Sequence, residues 1–253
     1  MNESDLKVRT GTPAKDEERR KEKFVELFKS CPIPENELLF QLGLFMKRKH
    51  FSRLLYIQEL YQKILNVHGV VMEFGVRWGQ NLALFESLRG IYEPYNYSRK
   101  IIGFDTFEGF PSVHAKDGRD TAIREGSYSV TEGYENFLSE LLELHEQESP
   151  IGHIKKFELV KGDAAVEIDN YLERNPHTIV ALAYFDMDVY EPTLKCLEAI
   201  RPYLTKGSVL GFDELAAEWF PGETVALREA LGLDSFRIQR VPHMPHCAFL
   251  VIE

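Results

Sequence analysis

Ala183-Tyr184-Phe185-Asp186-Met187-Asp188 and, further on, Gly207-Ser208-Val209-Leu210-Gly211-Phe212-Asp213-Glu214 share one design, a β-prone apolar run that closes on carboxylates. A helix-length segment separates them. Strands joined through a helix run parallel, and both clusters then sit at the carboxyl edge of an open sheet, where ligands bind. Three or four carboxylates in one crevice repel one another unless a hard divalent cation lies among them. The two runs therefore predict an α/β fold and a metal-assisted enzyme.

The same alternation extends in both directions. Strands are expected at 69–75, 100–105, 157–161, 179–186 and 207–213, and helices at 79–90, 133–146, 164–174, 191–204 and 223–231. Short β-rich runs between amphipathic segments describe a parallel sheet covered on both faces. Ser235–Val241 and Cys247–Ile252, joined by Pro-His-Met-Pro-His, read as an antiparallel terminal hairpin and bring the strands to seven. Upstream, 35–48 and 52–66 carry apolar residues at helical spacing. The expected division is a flexible tail at 1–22, a helical cap at 23–68 and a main domain at 69–253. The charged start, Asp16 to Lys23, is either disordered or the exposed beginning of a helix. Residues 106–132, rich in Gly, Ser, Thr and charge, follow the second strand at the ligand-binding edge and read as a lid.

Bulk properties narrow the function. A net charge of -10 argues against binding nucleic-acid backbones. No apolar run is long enough for a membrane span, so no membrane role is expected. Cys31, Cys196 and Cys247 are sparse and unpaired in pattern, which fits buried, reduced thiols in a cytoplasmic protein. The apolar N-terminal helices also offer a surface for a homo-oligomer.

Within the strands, Glu73-x-Gly75 leads through Val76-Arg77-Trp78 to Gly79, a strand–turn–helix start whose glycines let a ligand approach the backbone. A dinucleotide fingerprint wants a middle glycine where this chain has Arg77. An acid at the strand end suits a cationic ligand, and S-adenosylmethionine carries both a sulfonium and an ammonium. Asp105, at the tip of the second strand, stands where adenosine cofactors have their ribose held. Asp163, after the third, either faces an adenine amino group or caps the next helix. Asp186, Asp213 and Glu214 are the metal-ligand candidates; all-oxygen donors favour Mg²⁺, or Mn²⁺ or Ca²⁺, over zinc. Asp188 completes the metal shell, takes a proton from a substrate hydroxyl, or caps a helix. His243 and His246 flank Met244-Pro245 in the expected turn, where exposed histidines are ordinary.

Together these stretches resemble the macrocin O-methyltransferase (TylF-like) family over roughly 52–252. The most specific parts are Gly103-Phe104-Asp105-Thr106-Phe107-Glu108-Gly109-Phe110-Pro111 and Asp186-Met187-Asp188-Val189-Tyr190-Glu191-Pro192-Thr193. The resemblance implies a Rossmann-like class I methyltransferase fold, S-adenosylmethionine as donor, a divalent metal and a sugar hydroxyl on a small molecule or glycan as acceptor. By position it places Glu73, Gly75 and Gly79 at the methionine end of the cofactor, Asp105 at the ribose and Asp163 by the adenine. Asp186, Asp213 and Glu214 would hold the metal, with Asp188 and Asp186 at the reacting hydroxyl. The chain departs from the family by exchanging Trp and Arg in the first turn and by Asp213-Glu214 in place of Asp-Asp. Other readings are methylation of a different vicinal diol, a nicotinamide oxidoreductase, and a non-catalytic binding protein.

Overall fold

The computed structural model describes residues 15–253. Four helical pieces come first: α1 (Lys15–Lys29), the short α2 (Glu35–Leu38), a 3₁₀ segment (Leu39–Phe45) and α3 (Arg48–Lys63). Then follow β1 (Val70–Phe74), α4 (Gln80–Tyr92), β2 (Ile101–Asp105), α5 (Tyr134–Glu148), β3 (Phe157–Lys161) and α6 (Ala164–Arg174). β4 (Val180–Phe185), α7 (Tyr190–Ile200), β5 (Leu204–Phe212), α8 (Gly222–Leu231), β6 (Gln239–Val241) and β7 (Met244–Val251) complete the chain. The sheet has seven strands in the order β3-β2-β1-β4-β5-β7-β6. The first five strands run parallel, and β7 is antiparallel to both its neighbours. This is the parallel sheet with an antiparallel terminal hairpin expected from the alternating pattern, in the Rossmann-like arrangement that the resemblance implied. Strand order reverses between β1 and β4, so the ligand-binding crevice of the fold opens beyond those two strands.

Parallel register aligns one phenylalanine from each of four strands. Phe104, Phe74, Phe185 and Phe212 stack at 5.0, 5.0 and 5.1 Å between ring centroids in a row across the sheet. All four face the core under α6, α7 and α8. Side chains alternate between faces, so the preceding residues Glu73 and Tyr184 and the following Asp105, Asp186 and Asp213 belong to the opposite face. That face packs against α3, α4 and α5 through Tyr56, Leu60, Phe85 and Leu138. The acidic row is therefore set one residue beyond a wall of buried rings.

Several boundaries differ from the sequence reading. Residues 1–14 of the expected tail lie outside the described residues, while 15–22 form the first half of α1. The helix expected over 35–48 is broken: α2 lasts four residues and gives way to the 3₁₀ segment around Gly43. Neither piece buries a side chain, so no packing surface supports a longer helix. The helix expected to reach 204 stops at Ile200, before Pro202, and β5 begins at Leu204. At the far end the hairpin is tighter than expected. Only Pro242 and His243 form the turn, and His246 lies within β7. Cys196 and Cys247 are buried as expected; Cys31 is half-exposed, and all three are free thiols.

Candidate active site

The backbone ladder runs one step past each strand. Gly75 N donates to Phe104 O (3.0 Å), Asp186 N to Phe74 O (2.9 Å) and Asp213 N to Phe185 O (3.0 Å). These bonds place the glycine turn and two of the acids side by side at the switch point. Gly75 has φ +91°, and a Cβ there would run into the carbonyl oxygen of Asp186. The close approach of the two strand ends thus requires glycine before any ligand is considered.

A cleft of about 430 Å³ opens here. Gly75, Asp105, Asp163, Asp186, Asp188, Asp213 and Glu214 all line it, together with Lys49, Arg53, Arg77, Asn81 and Tyr128. Glu73 and Gly79 are not on its wall. Glu73 is fully buried behind it, accepting from Asn81 Nδ2 at 2.8 Å. Gly79 (φ +76°) opens α4, and a side chain there would strike Leu138 of α5. His243 and His246 are exposed and do not line the cleft.

Asp105 is held by backbone donors on both sides, Arg77 N at 2.7 Å and Phe107 N at 2.5 Å. One carboxylate thereby ties the turn after β1 to the start of the long segment after β2. Asp163 caps α6 by accepting from Ala165 N at 2.9 Å while also facing the cleft. The two alternatives open in the sequence are therefore compatible.

The acids after β4 and β5 share a cation from the cap. Arg53 of α3 reaches Asp186 Oδ2 at 3.2 Å and Asp213 Oδ1 at 2.6 Å, and donates to the Tyr184 hydroxyl at 3.2 Å. Tyr184 in turn donates to Asp213 Oδ1 at 2.9 Å, and the Cys247 thiol lies 3.4 Å from the same atom. Burial first, then the charge of Asp213, pushes the Asp186 pKa up to about 7, against the pull of Arg53. Burial followed by Asp186 and Glu214 drives Asp188 well above the usual carboxylate range. Burial and Asp213 also raise Glu214. One guanidinium does not satisfy so many carboxylates. Among the described residues no three His, Cys, Asp or Glu side chains are grouped to hold a metal ion. The cation among the acids is Arg53.

A second organiser escaped the sequence reading. Glu223, in the first turn of α8, is fully buried. Its carboxylate accepts from Met187 N (3.2 Å), Asp188 N (3.3 Å) and Glu214 N (3.3 Å), pinning both acidic loops to one helix. In sequence it reads as an ordinary acid at a helix start. Arg53 left a fainter signal: it stands on the buried stripe of α3 with Tyr56, Ile57, Leu60 and Tyr61, at helical spacing.

Arg77 (φ 49°), Tyr128 (φ 66°) and Asp188 (φ 61°) adopt left-handed backbone without being glycine. Each such residue costs about 1–3 kcal/mol, a strain that gathers at working sites. The 106–132 segment carrying Tyr128 is anchored at both ends. Phe110 N donates to Ser127 O and Gly126 N to Phe110 O, each at 3.0 Å. Buried Asp117 accepts from Tyr190 N of α7 at 2.6 Å.

No protein-family model and no curated protein matches the chain. Among solved structures it is similar to the crystal structure of CalS11, calicheamicin methyltransferase. The two share 43% identity over 97% of this chain and 98% of that one, with a TM-score of 0.92. The apo structure of CalS11, described as TDP-rhamnose 3'-O-methyltransferase, gives 42% identity, 95% and 96% coverage and a TM-score of 0.84. The O-methyltransferase NovP, at 18% identity, 79% coverage of each chain and a TM-score of 0.59, shares the fold.

Proposed function

We propose that this chain, which belongs to the family of class I O-methyltransferases that includes CalS11, methylates a sugar hydroxyl, the sugar being carried on a nucleoside diphosphate. The observation that carries this reading is the meeting of the Gly75 turn with Asp186, Asp188, Asp213 and Glu214 in one cleft. The motifs around Asp105 and Asp186 keep the resemblance to the macrocin O-methyltransferase family as its finer form. For the acceptor, the cleft wall offers Lys49, one turn before Arg53 on α3, as a cation for phosphate oxygens.

The residues suit S-adenosylmethionine. Glu73 Oε2 and Asn81 Oδ1 are buried acceptors without partners beside the glycine turn, a match for an ammonium donor. Asp105 and Asp163 face the cleft where ribose and adenine would lie. When bound, the cofactor supplies an electrophilic methyl group and leaves as S-adenosylhomocysteine. A divalent metal also fits in kind. The donors are hard carboxylate oxygens, and Arg53 already stands in as a cation between two of them. Asp186, Asp213 and Glu214 would hold it in place of the guanidinium, where it would lower the pKa of the acceptor hydroxyl.

The chain itself orients the acceptor and receives its proton. Asp188 would receive the proton that the acceptor hydroxyl loses on methylation. Burial raises Asp188 well above the usual carboxylate range; a cationic ligand alongside favours its ionised, basic form. Glu223 fixes the backbone of that loop, and the lid excludes water from above.

Calorimetric titration of S-adenosylhomocysteine, with Mg²⁺ and then with EDTA, tests the cofactor reading. Mass spectrometry after incubation with TDP-sugars tests the acceptor. Binding together with a single added methyl group is expected; absence of cofactor binding in either buffer would end the methyltransferase reading.

A further inference from the structure

From Asp16 to Phe51 the chain buries none of its residues. α1 spans 15 residues of this region, and a helix of that length is marginal when it stands alone in water. Its ring contacts stay within the same region. Phe28 meets Phe45 of the 3₁₀ segment edge-on at 5.0 Å, and Lys47 Nζ lies 4.5 Å over the Phe24 ring. α1 and the 3₁₀ segment thus make one arm that turns its large apolar side chains outward. Leu39 is 71% exposed, Phe40 82% and Leu44 63%; Phe24, Leu27 and Phe51 are exposed as well. Ten of the exposed large hydrophobics among the described residues fall between Phe24 and Phe51. They leave on the order of 1,000 Å² open to water, more than the ~300–600 Å² of the largest patch on a typical monomer and enough for the ~800 Å² that each partner gives to a stable interface.

Charge selects the occupant. The chain has a net charge of -10, so two copies repel through most of their surface. Residues 16–51 are the exception, with eight Lys or Arg against seven Asp or Glu. Asp16-Glu17-Glu18 stand at one end of this stretch and Lys47-Arg48-Lys49 near the other, so a copy related by a two-fold axis meets both signs. We propose that the arm is the face on which a second copy of this chain docks, apolar surface against apolar surface. Burial of the patch supplies the packing that α1 lacks within one chain. Lys49 and Phe51 share the first turn of α3, so the interface ends beside the cleft wall. Docking of this kind does not depend on the reaction performed in the cleft.

Sedimentation velocity of the full chain at micromolar concentration tests the contact. A mass of twice 29.2 kDa, or an even multiple of that, is expected. Phe40→Glu combined with Leu44→Glu places like charges in the middle of the contact. It should raise the dissociation constant roughly 30-fold or more, as loss of a central anchor does, with the circular dichroism spectrum unchanged because neither residue is buried. Ile91→Glu, at a 68% exposed position of α4 outside the arm, leaves assembly as it is. Amide exchange in α1 gives a second readout, with protection that grows with protein concentration and disappears in the double variant. A parent that remains at 29.2 kDa overturns the proposal, and co-sedimentation with phosphatidylcholine vesicles would then assign the face to a lipid surface. Assembly that persists undiminished in the double variant overturns it too, by placing the interface elsewhere.

Discussion

Two ion clusters in this molecule use similar residues toward opposite ends. In the first, Glu146 accepts from Arg89 Nη2 (2.8 Å) and from both Lys156 nitrogens, Nζ at 2.6 Å and the backbone N at 2.9 Å. These side chains are 0–2% exposed, and Arg89 also ties α4 to the backbone beside β3. In the second, a single Arg53 serves Asp186 and Asp213 with Glu214 and Asp188 close by, at 12–26% exposure for the paired groups. The first cluster has two cations for one ionised acid. Its neighbour Glu86 is pushed up to about 8 by burial and so adds little charge at neutral pH. The second is short of positive charge and open to the cleft. Burial alone does not distinguish a structural cluster from a chemical one; the ratio of cations to carboxylates does.

The largest expected effect breaks the second cluster. Asp186→Asn or Asp188→Asn lowers turnover by about 10²–10⁴-fold, the range for losing a positioned acid–base group. Calorimetry still finds cofactor binding, and the melting temperature does not fall, because a carboxylate in excess is removed. Normal turnover in both variants would undo the comparison. Next comes Glu146→Gln, which leaves two buried cations uncompensated. Urea unfolding should register a loss of about 3–5 kcal/mol, while activity per folded molecule stays at the wild-type level.

A third test concerns the stand-in cation. Arg53→Gln frees the acids, and Mn²⁺ affinity measured by electron paramagnetic resonance should rise roughly tenfold, equivalent to ~1.4 kcal/mol. Lys49→Gln, which removes a charge without an ion-pair partner on these acids, should change it much less. Equal Mn²⁺ affinities in Arg53→Gln and the parent would mean that guanidinium and metal do not compete. The smallest effect is on pH dependence. Asp186 is raised from an unfolded value of about 3.9 to about 7 in the fold. The native state therefore binds the extra proton across that window. The associated stability is complete below the unfolded value and is lost as pH rises toward neutrality. Melting curves should show that decline in the parent and a weaker one in Asp186→Asn.

Much of this was legible from periodicity. Each β-prone run ending in Gly or Asp gave a strand and its edge, since parallel burial leaves little alternative for Val180–Phe185 or Val209–Phe212. The acids at those ends fell into one cleft because register places Phe74, Phe185 and Phe212 in one row. The cap was poorly legible: Leu39 and Leu42, read as part of a helical face, are exposed, with no core to bury them. Arg53 and Glu223 were missed for a shared reason. Each acts across a gap in sequence, 133 residues for Arg53 and Asp186, and local pattern carries no information about partners so remote. Glu73 and Gly79 mark the converse limit. Motif spacing singled both out for a ligand, and the fold also packs them, Glu73 beside Asn81 and Gly79 against Leu138, so spacing alone does not separate the two roles.

The reach of Arg53 also bears on how the molecule assembles. A contact spanning more than half the chain forms late, since its loop-closure entropy must be offset by structure already in place. Until α3 docks, a completed sheet holds its carboxylates together with no counter-charge. Docking of the cap is thus an electrostatic checkpoint in folding. Mild acid or millimolar Mg²⁺, by neutralising the edge in its stead, should speed the final refolding phase of the parent and lose that advantage when Asp186 and Asp213 are both amides.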